Sequence, residues 1–332
     1  MRAAVIGGGA WGTALADLLA RKGDDVVLWA REREVVDGVN REHLNAMFLP
    51  DAPLSPAVRA ESDLRAAVRG ATLIVSAAPS HAVRPVMAQV ASGLERDALV
   101  VSVSKGLEGE SEKTMSEVLA EVLPAGTPVA VLSGPSFARE VHQQEPTAVV
   151  AAARDEAVAR RAQQALSTRY FRVYSHTDVL GVELAGALKN VIALAAGILE
   201  GLGLGYNPRA ALVTRGLAEM TRLGVRRGAD PMTFAGLAGM GDLILTATGA
   251  LSRNRSLGVE VGRGKTLEEA RAGKHSVAEG VSTAQSAVTL GERHGVELPI
   301  AREVADILFR GKSPRRAVND LMERDLKAEQ WR

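Results

Sequence analysis

Lys189 is a charged residue inside an apolar segment, and such a position could support acid/base chemistry. Residues 184–199 read LAGALKNVIALAAGIL, in which Lys189 is the only charge and Asn190 its only polar neighbour. If the segment is helical, the residues three, four and seven positions away are mostly small and leave room for a ligand: Ala185, Gly186, Ile192, Ala193 and Ala196. Because a buried ammonium is costly unless it is paired or used, Lys189 is either a functional group or a lysine that extends from a core helix to water.

Three glycines near the amino terminus form a second candidate site. Gly7, Gly9 and Gly12 have the spacing G-x-G-x-x-G between a predicted apolar strand at 3–6 and a predicted helix that ends at Gly23. In that context the first glycine permits a tight turn, the second lets the backbone approach a pyrophosphate, and the third lets the helix pack on the strand. The helix N-terminus adds free N–H groups and a positive dipole. The pattern predicts dinucleotide binding, with a purely structural glycine turn as the alternative.

The end of the second predicted strand, at 26–29, indicates which dinucleotide is bound. NAD-binding folds usually place a carboxylate there to hold the ribose 2′-hydroxyl, whereas this chain has Ala30 and Arg31. Arg31 and Arg33 could pair with a 2′-phosphate. We therefore expect NADP to be preferred over NAD, the alternative being that both arginines are solvated surface residues.

The elements that must position these residues alternate between strands and helices. Five further apolar segments are predicted strands: 73–77, 99–103, 129–132, 147–153 and 170–174. The alternation predicts an α/β fold with a doubly wound, parallel, Rossmann-type sheet. Helical patterns dominate after about residue 175. We therefore expect a dinucleotide-binding domain at 1–175 followed by an all-α substrate and catalytic domain at 176–332.

Other polar residues lie where ligands of such sheets bind. Lys105 follows the predicted strand at 99–103, and the loop 133–137 follows the strand at 129–132, so both should lie at the carboxyl edge of the sheet. Small residues surround Asp242, and a basic polar cluster follows at 252–255. This composition predicts a phosphate-anchoring loop, because Arg and Asn donate several hydrogen bonds. A surface lysine and an ordinary solvated loop are the alternatives.

Composition restricts the classes of function. The chain has 332 residues, 46% of them hydrophobic, and a formal net charge of +1, so nucleic acid is not an expected partner. It has no cysteine, which excludes disulfides and thiolate sites and fits a reducing cytoplasm. The six histidines show no metal-binding spacing, so we expect no metal. We also expect neither a signal peptide nor an integral membrane segment, since the apolar run at 184–199 is short and charged.

Seven sequence blocks, taken in order, carry a specific resemblance to a known family. They are residues 7–15, 45–50, 104–108, 133–138, 188–191, 239–243 and 252–254. Together they resemble the bacterial NAD(P)-dependent glycerol-3-phosphate dehydrogenases, which interconvert dihydroxyacetone phosphate and sn-glycerol 3-phosphate. The resemblance covers essentially the whole chain. Two small departures are Ala10, where many members have Ser, and Ser136, where Thr is frequent.

The resemblance implies a role for each matching residue, with Lys189 as the general acid/base. The implied substrate-binding residues are Lys105, Gly134, Ser136, Lys189, Asp242, Ser252, Arg253 and Asn254. The implied cofactor-binding residues, which include the three glycines of the turn, are Gly7, Gly9, Trp11, Gly12, Arg31, Lys105, Ala138, Arg253, Val277 and Glu279. The resemblance also implies NADP or NAD as cofactor, a small phosphorylated substrate and a role in supplying phospholipid synthesis.

The implied chemistry agrees with the residue types. Hydride transfer to a ketone carbon builds negative charge on the oxygen, so a nearby cation that can donate a proton lowers the barrier. Burial and the neighbouring Lys105 should lower the pKa of Lys189 toward neutrality. Two alternatives stay open: another two-domain NAD(P)-dependent hydroxy-acid dehydrogenase, or a protein that senses NADPH without turning it over. The carboxyl-terminal helices and residues 201–205 could form a homodimer contact, although the sequence does not establish the oligomeric state.

Overall fold

The computed structural model describes residues 1–109, 111–273, 277–326 and 328–329. Within these ranges one sheet contains the strands β1 Arg2–Ile6, β2 Asp25–Trp29, β3 Val58–Glu61, β4 Leu73–Ser76, β5 Leu99–Ser102, β6 Val129–Ser133, β7 Thr147–Ala152 and β8 Phe171–His176. Seven helices lie between the strands: α1 Ala10–Arg21, α2 Arg33–Glu42, α3 Leu64–Val68, α4 Ser80–Ala91, α5 Met115–Val122, α6 Ala138–His142 and α7 Glu156–Leu166.

Helices make up the remaining elements of the described chain. They are α8 Val179–Gly201, α9 Tyr206–Arg226, α10 Pro231–Ala235, a π-helical turn Leu237–Gly241, α11 Asp242–Thr248, α12 Arg253–Gly262, α13 Leu267–Arg271, α14 Gly280–His294, α15 Pro299–Arg310 and α16 Pro314–Met322. After β8, the described residues contain no further strand. The change of secondary structure lies between His176 and Val179, close to the expected boundary. The division into two domains stays a prediction.

The strand order of the sheet is β3-β2-β1-β4-β5-β6-β7-β8. β1 pairs in parallel with β2 on one side and with β4 on the other, so the direction of winding reverses between β1 and β4. At such a point the loops that follow the two strands diverge and leave a crevice at the carboxyl edge of the sheet. The predicted α/β fold with a doubly wound Rossmann-type sheet is confirmed.

Two features of the sheet differ from the expectation. β3 was not predicted, because this short strand alternates buried residues with the charged Arg59 and Glu61 and has little apolar character. β7 pairs antiparallel with β6, although a wholly parallel sheet was expected. β7 starts at the edge where β6 ends, because the intervening residues form a loop and the short helix α6 there instead of crossing back along the sheet.

Helices cover both faces of the sheet. On one face, Leu15 of α1 belongs to the same buried cluster as Val101 of β5. On the other face, Met87 of α4 belongs to a cluster with Ile74 of β4 and Val100 of β5. Because apolar side chains emerge on both faces, the strands read as continuous apolar segments.

Helix α8 is the central element of the helical region. Asp178 caps it, since its Oδ1 accepts a hydrogen bond from the Gly181 N–H at 2.9 Å. α8 is long and apolar enough to span a membrane by length and composition, but its apolar window is fully buried within the protein. It meets α12 at a glycine contact, where a Cβ added to Gly197 would lie 2.0 Å from the Arg255 carbonyl oxygen. A helix that is apolar on all sides is therefore enclosed by other elements.

Candidate active site

A cleft of about 680 Å³ lies between the carboxyl edge of the sheet and the helical region. Its walls come from the loops after β1, β4, β5 and β6 and from residues of α8, α11 and α12. The sequence-predicted site residues that line it are Gly7, Gly9, Trp11, Gly12, Arg31, Lys105, Ser136, Ala138, Lys189, Asp242, Ser252, Arg253, Asn254, Val277 and Glu279. Gly134 does not line it, and neither does Arg33, the second arginine that was considered for a 2′-phosphate.

The glycine-rich turn forms one end of the cleft. Gly7 has a φ of 131°, a value that side-chain-bearing residues rarely adopt. A Cβ on Gly12 would lie 2.0 Å from the Gly7 carbonyl oxygen, so the helix can approach the turn only without a side chain there. Gly9 faces open space, since a Cβ added to it would meet no atom within 4 Å. The turn thus presents bare backbone and the N-terminus of α1 to the cleft.

The end of β2 carries a carboxylate that was not among the predicted site residues. Arg31 is exposed, and its Nη2 donates a hydrogen bond to Glu32 Oε1 at 2.9 Å. Glu32 lines the cleft beside Arg31. The expectation rested on Ala30, Arg31 and Arg33, whereas the acid lies between the two arginines. The mouth of the cleft therefore presents a paired guanidinium and carboxylate.

Lys189 is held at the centre of the cleft by residues of α11. Its Nζ donates to Asp242 Oδ1 at 3.0 Å and to Thr246 Oγ1 at 2.7 Å, and the residue is only 6% exposed. Asp242 and Thr246 are four residues apart and so lie on the same face of their helix. The ammonium is therefore oriented by two partners and does not extend to bulk water.

Asp242 also binds a second lysine. Lys105 Nζ donates to Asp242 Oδ2 at 2.7 Å and to the Gly134 carbonyl oxygen at 2.9 Å. Ser136 Oγ donates to the same carbonyl at 3.1 Å. A Cβ on Gly134 would lie 2.9 Å from the Val149 Cα, so this position requires glycine. Gly134 thus orients two residues of the cleft without lining it.

Burial and neighbouring charges perturb the ionisation of this cluster. Burial lowers the pKa of Lys189 from its ordinary value of 10.5 to about 8. The positive charge of Lys105 also acts to lower the pKa of Lys189, and Asp242 opposes the decrease. Burial raises the pKa of Asp242, but the two lysines outweigh it and hold that pKa below its ordinary value. The cleft therefore contains one carboxylate, Asp242, that lies between two lysine side chains.

The region around Asp242 and Arg253 is helical, not the loop that was expected. Asp242 begins α11 after the π-helical turn, and Arg253 begins α12. Ser252 is the N-cap of α12, and its Oγ accepts a hydrogen bond from the Arg255 N–H at 3.2 Å. The small residues in this stretch suggested a loop. In the structure Gly239, which belongs to the π-helical turn, packs closely against Phe234. Arg253 and the N-terminus of α12 face the cleft together.

A relay of amide side chains joins the walls of the cleft. Asn190 Nδ2 donates to the Lys105 carbonyl oxygen at 3.2 Å. Asn254 Nδ2 donates to Asn190 Oδ1 at 3.0 Å, and Asn254 Oδ1 accepts from the Gly280 N–H at 3.0 Å. Asn190 and Thr246 were not predicted as site residues. The available sequence signals were the position of Asn190 next to Lys189 in the block 188–191 and the four-residue spacing of Thr246 from Asp242.

Glu279 connects the helical region to the sheet. Its Oε1 accepts a hydrogen bond from the Ser80 N–H at 3.0 Å, and its Oε2 accepts one from Ser80 Oγ at 2.5 Å. Ser80 is the first residue of α4. Trp11 lies elsewhere along the cleft, and its buried Nε1 has no hydrogen-bond partner among the described residues. Glu279 is thus bound to the protein, while Trp11 keeps an unused donor.

Comparison with protein families identifies both halves of the chain. Residues 2–159 match the family model described as the NAD-dependent glycerol-3-phosphate dehydrogenase N-terminus. Residues 178–319 match the model described as the C-terminus of the same family. The two matches follow one another along the chain and together cover most of it.

Individual relatives agree with the family models. The chain is 55% identical over 328 residues to a glycerol-3-phosphate dehydrogenase, designated NAD(P)+, of Citrifermentans bemidjiense, with 98% of each chain covered. It is 54% identical over 332 residues to the protein of that name from Geobacter sulfurreducens, with 99% of each covered. The crystal structure of glycerol-3-phosphate dehydrogenase from Coxiella burnetii is 40% identical, with a TM-score of 0.93 and coverage of 97% of this chain and 99% of that one. The chain belongs to the NAD-dependent glycerol-3-phosphate dehydrogenase family.

Proposed function

We propose that this protein is an NAD(P)-dependent sn-glycerol-3-phosphate dehydrogenase that reversibly reduces dihydroxyacetone phosphate, with Lys189 as the general acid/base. One observation carries the proposal. In a chain of this family, a buried lysine with a pKa of about 8 lies in the cleft and is held by Asp242 and Thr246. A group with that pKa is well suited to exchange a proton near neutral pH.

The residues at the amino-terminal end of the cleft fit a nicotinamide dinucleotide. Gly9 offers open space where a side chain would block the approach of a pyrophosphate, and α1 directs its N-terminus there. Trp11 lines the same end of the cleft. When bound, the reduced cofactor supplies the hydride.

Lys189 donates or accepts the proton that the reaction transfers. In the reductive direction its ammonium donates a proton to the substrate oxygen as negative charge develops there, and in the oxidative direction the neutral amine accepts the proton of the hydroxyl group. Asp242 stabilises the ammonium, and Thr246 fixes its orientation. The buried environment excludes bulk water, so the electrostatic stabilisation is stronger than it would be in water.

Arg253 and the N-terminus of α12 are suited to the phosphate group of the substrate. The guanidinium can donate two parallel hydrogen bonds to phosphate oxygens, and free N–H groups of the first helical turn can add to them. Lys105 brings a further positive charge into the cleft, beside Asp242. Binding energy from the phosphate would orient the carbonyl group relative to Lys189.

Both NADP and NAD fit the mouth of the cleft. The exposed Arg31 suits a 2′-phosphate, and the carboxylate of Glu32 suits a 2′-hydroxyl. A preference for NADP, as expected from Arg31, is part of the proposal. The proposal also includes a cytoplasmic location, which the absence of cysteine supports. It further includes a role in phospholipid synthesis and a homodimer.

Oxidation of NADPH, followed by its absorbance in the presence of dihydroxyacetone phosphate, tests the proposal. The wild-type protein should turn over, and Lys189→Ala should lose turnover but still bind NADPH. Lys265→Ala is the matched control, because that exposed lysine pairs with Glu260 away from the cleft. Normal turnover by Lys189→Ala would refute the mechanism, and NADPH oxidation with a carboxylated keto acid, but not with dihydroxyacetone phosphate, would refute the substrate.

A further inference from the structure

Asn45 is a fully buried polar residue that touches the glycine-rich turn from behind. It is 0% exposed. Its Nδ2 donates to the Gly8 carbonyl oxygen at 2.8 Å and to Thr13 Oγ1 at 2.7 Å, and its Oδ1 accepts from the Phe48 N–H at 3.2 Å. Both polar atoms of the amide are thus engaged, and Asn45 itself does not line the cleft.

The bond to Gly8 determines how the turn presents its backbone. In a trans peptide unit the C=O and the next N–H point in opposite directions, and the described residues contain no cis peptide bond. Because Asn45 holds the Gly8 carbonyl toward the protein interior, the Gly9 N–H points the opposite way, toward the cleft that Gly9 lines. Rotation of this peptide would instead present a carbonyl oxygen, which repels a phosphate.

Asn45 also anchors a wall of the cleft. Its Oδ1 holds the Phe48 N–H, and its own carbonyl oxygen accepts from the Leu49 N–H at 2.9 Å. Residues 47–50 line the cleft together with the turn. One residue therefore fixes the turn and this wall relative to each other.

We propose that Asn45 is a positioning residue for the pyrophosphate of the dinucleotide. It orients the Gly8–Gly9 peptide so that its N–H, and not its carbonyl oxygen, faces the anion. The inference rests on the proposed function, because it assumes that a dinucleotide binds at the turn. The Asn45 amide donates to both oxygen atoms, and the Thr13 hydroxyl in turn donates to the same Gly8 carbonyl oxygen at 3.3 Å. Aspartate has the same shape but cannot donate to either, and it would repel the Gly8 carbonyl oxygen.

The test compares two ligands in Asn45→Asp. We expect the dissociation constant of NADPH to rise about tenfold, as for the loss of a buried hydrogen bond. The inhibition constant of adenosine 2′-monophosphate, which lacks the pyrophosphate, should stay within about twofold of the wild-type value. Asn40→Asp is the matched control. Asn40 makes the same kind of bonds to the Ala60 backbone, with its Nδ2 donating at 3.0 Å and its Oδ1 accepting at 2.9 Å, but does not touch the turn.

Each outcome decides the matter. Unchanged NADPH binding by Asn45→Asp, or an equal loss of both ligands, would overturn the role of Asn45. If this variant does not fold, Asn45→Ala removes the same hydrogen bonds without adding a charge, and we expect a weakening of about tenfold for NADPH alone. Unchanged NADPH binding by that variant would also overturn the inference. Failure of the wild-type protein to bind NADPH would instead refute the proposed function itself.

Discussion

Replacement of Asp242 by asparagine should change the pH dependence of catalysis more than the shape of the cleft. Asparagine has nearly the same shape and keeps one oxygen acceptor, but it removes the charge that lies 3.0 Å from Lys189 and 2.7 Å from Lys105. Asp242 is the group that raises the pKa of Lys189 against the effect of burial. Without it, the pKa of Lys189 should fall.

The size of the effect follows from the ion pair. Two unit charges about 4 Å apart interact by about 4 kcal/mol at an effective dielectric constant of about 20. A shift of one pKa unit corresponds to about 1.4 kcal/mol. Because asparagine keeps an oxygen acceptor for the Lys189 ammonium, we expect the pH profile to move by about two pH units, less than the full pair energy would give.

The sign of the pH shift can be measured in both the reductive and the oxidative reaction. Reduction of dihydroxyacetone phosphate requires the ammonium form of Lys189, so kcat/KM should be constant below about pH 8 and fall above it, in line with the pKa of about 8. Oxidation of sn-glycerol 3-phosphate requires the neutral amine, so its kcat/KM should rise through the same pH. In Asp242→Asn both limbs should move to lower pH.

Asp63→Asn is the control for this experiment. Asp63 caps α3 outside the cleft, and asparagine can keep the single oxygen that accepts from the Arg65 and Ala66 N–H groups, so the same change of charge is made away from Lys189. This variant should leave the pH limbs in place. An unchanged profile in a folded Asp242→Asn protein, or a shift to higher pH, would refute the assignment of the titrating group to Lys189.

Three further predictions test other parts of the structure. Glu32→Gln should raise the ratio of kcat/KM with NADPH to kcat/KM with NADH about threefold or more. The change removes a carboxylate that would repel a 2′-phosphate, and it frees Arg31. A lower ratio would contradict this prediction. Burial raises the pKa of Glu183 to about 7, so the wild-type protein loses stability as the pH rises from about 4.5 through 7. Glu183→Gln should therefore increase the free energy of unfolding by up to about 3 kcal/mol at pH 8 but not near pH 4. If the variant and the wild-type protein have the same denaturation midpoint at pH 8 as well as at pH 4, this prediction is wrong. Gly197→Ala should destabilise the fold by about 3 kcal/mol in chemical denaturation, because its Cβ would overlap the backbone of α12, whereas Gly205→Ala, which meets no atom within 4 Å, should be nearly neutral.

Several elements could be predicted from sequence because their physical causes are local. The turn at Gly7 and Gly12 requires residues without side chains, and that requirement is visible in the spacing itself. The predicted strands of the sheet are apolar on both faces because helices cover both sides. β3 lacked this signal, since Arg59 and Glu61 interrupt it. The antiparallel pairing of β7 was missed because the direction of a strand depends on the path of the chain before it.

The candidate site residues follow the same division. Lys189 and Arg253 were predicted, the first from an unusual charge in an apolar run and both from the family resemblance. Thr246 and Asn45 were not predicted as site residues, because Thr246 has no distinctive sequence signal and the block 45–50, which Asn45 begins, carried no assigned role. Both became visible only through their bonds to Lys189 and to the Gly8 carbonyl oxygen.

By itself, the sequence determined which residues could do chemistry: a lysine in an apolar helix, a glycine turn after a strand, and acidic and basic residues among small ones. The tertiary structure alone decided how they act together. Asp242 lies 53 residues from Lys189 and 137 from Lys105 along the chain, yet it contacts both. Helix packing produces this contact. The perturbed pKa of Lys189 follows from it, because both burial and the distance between charges are properties of the folded chain.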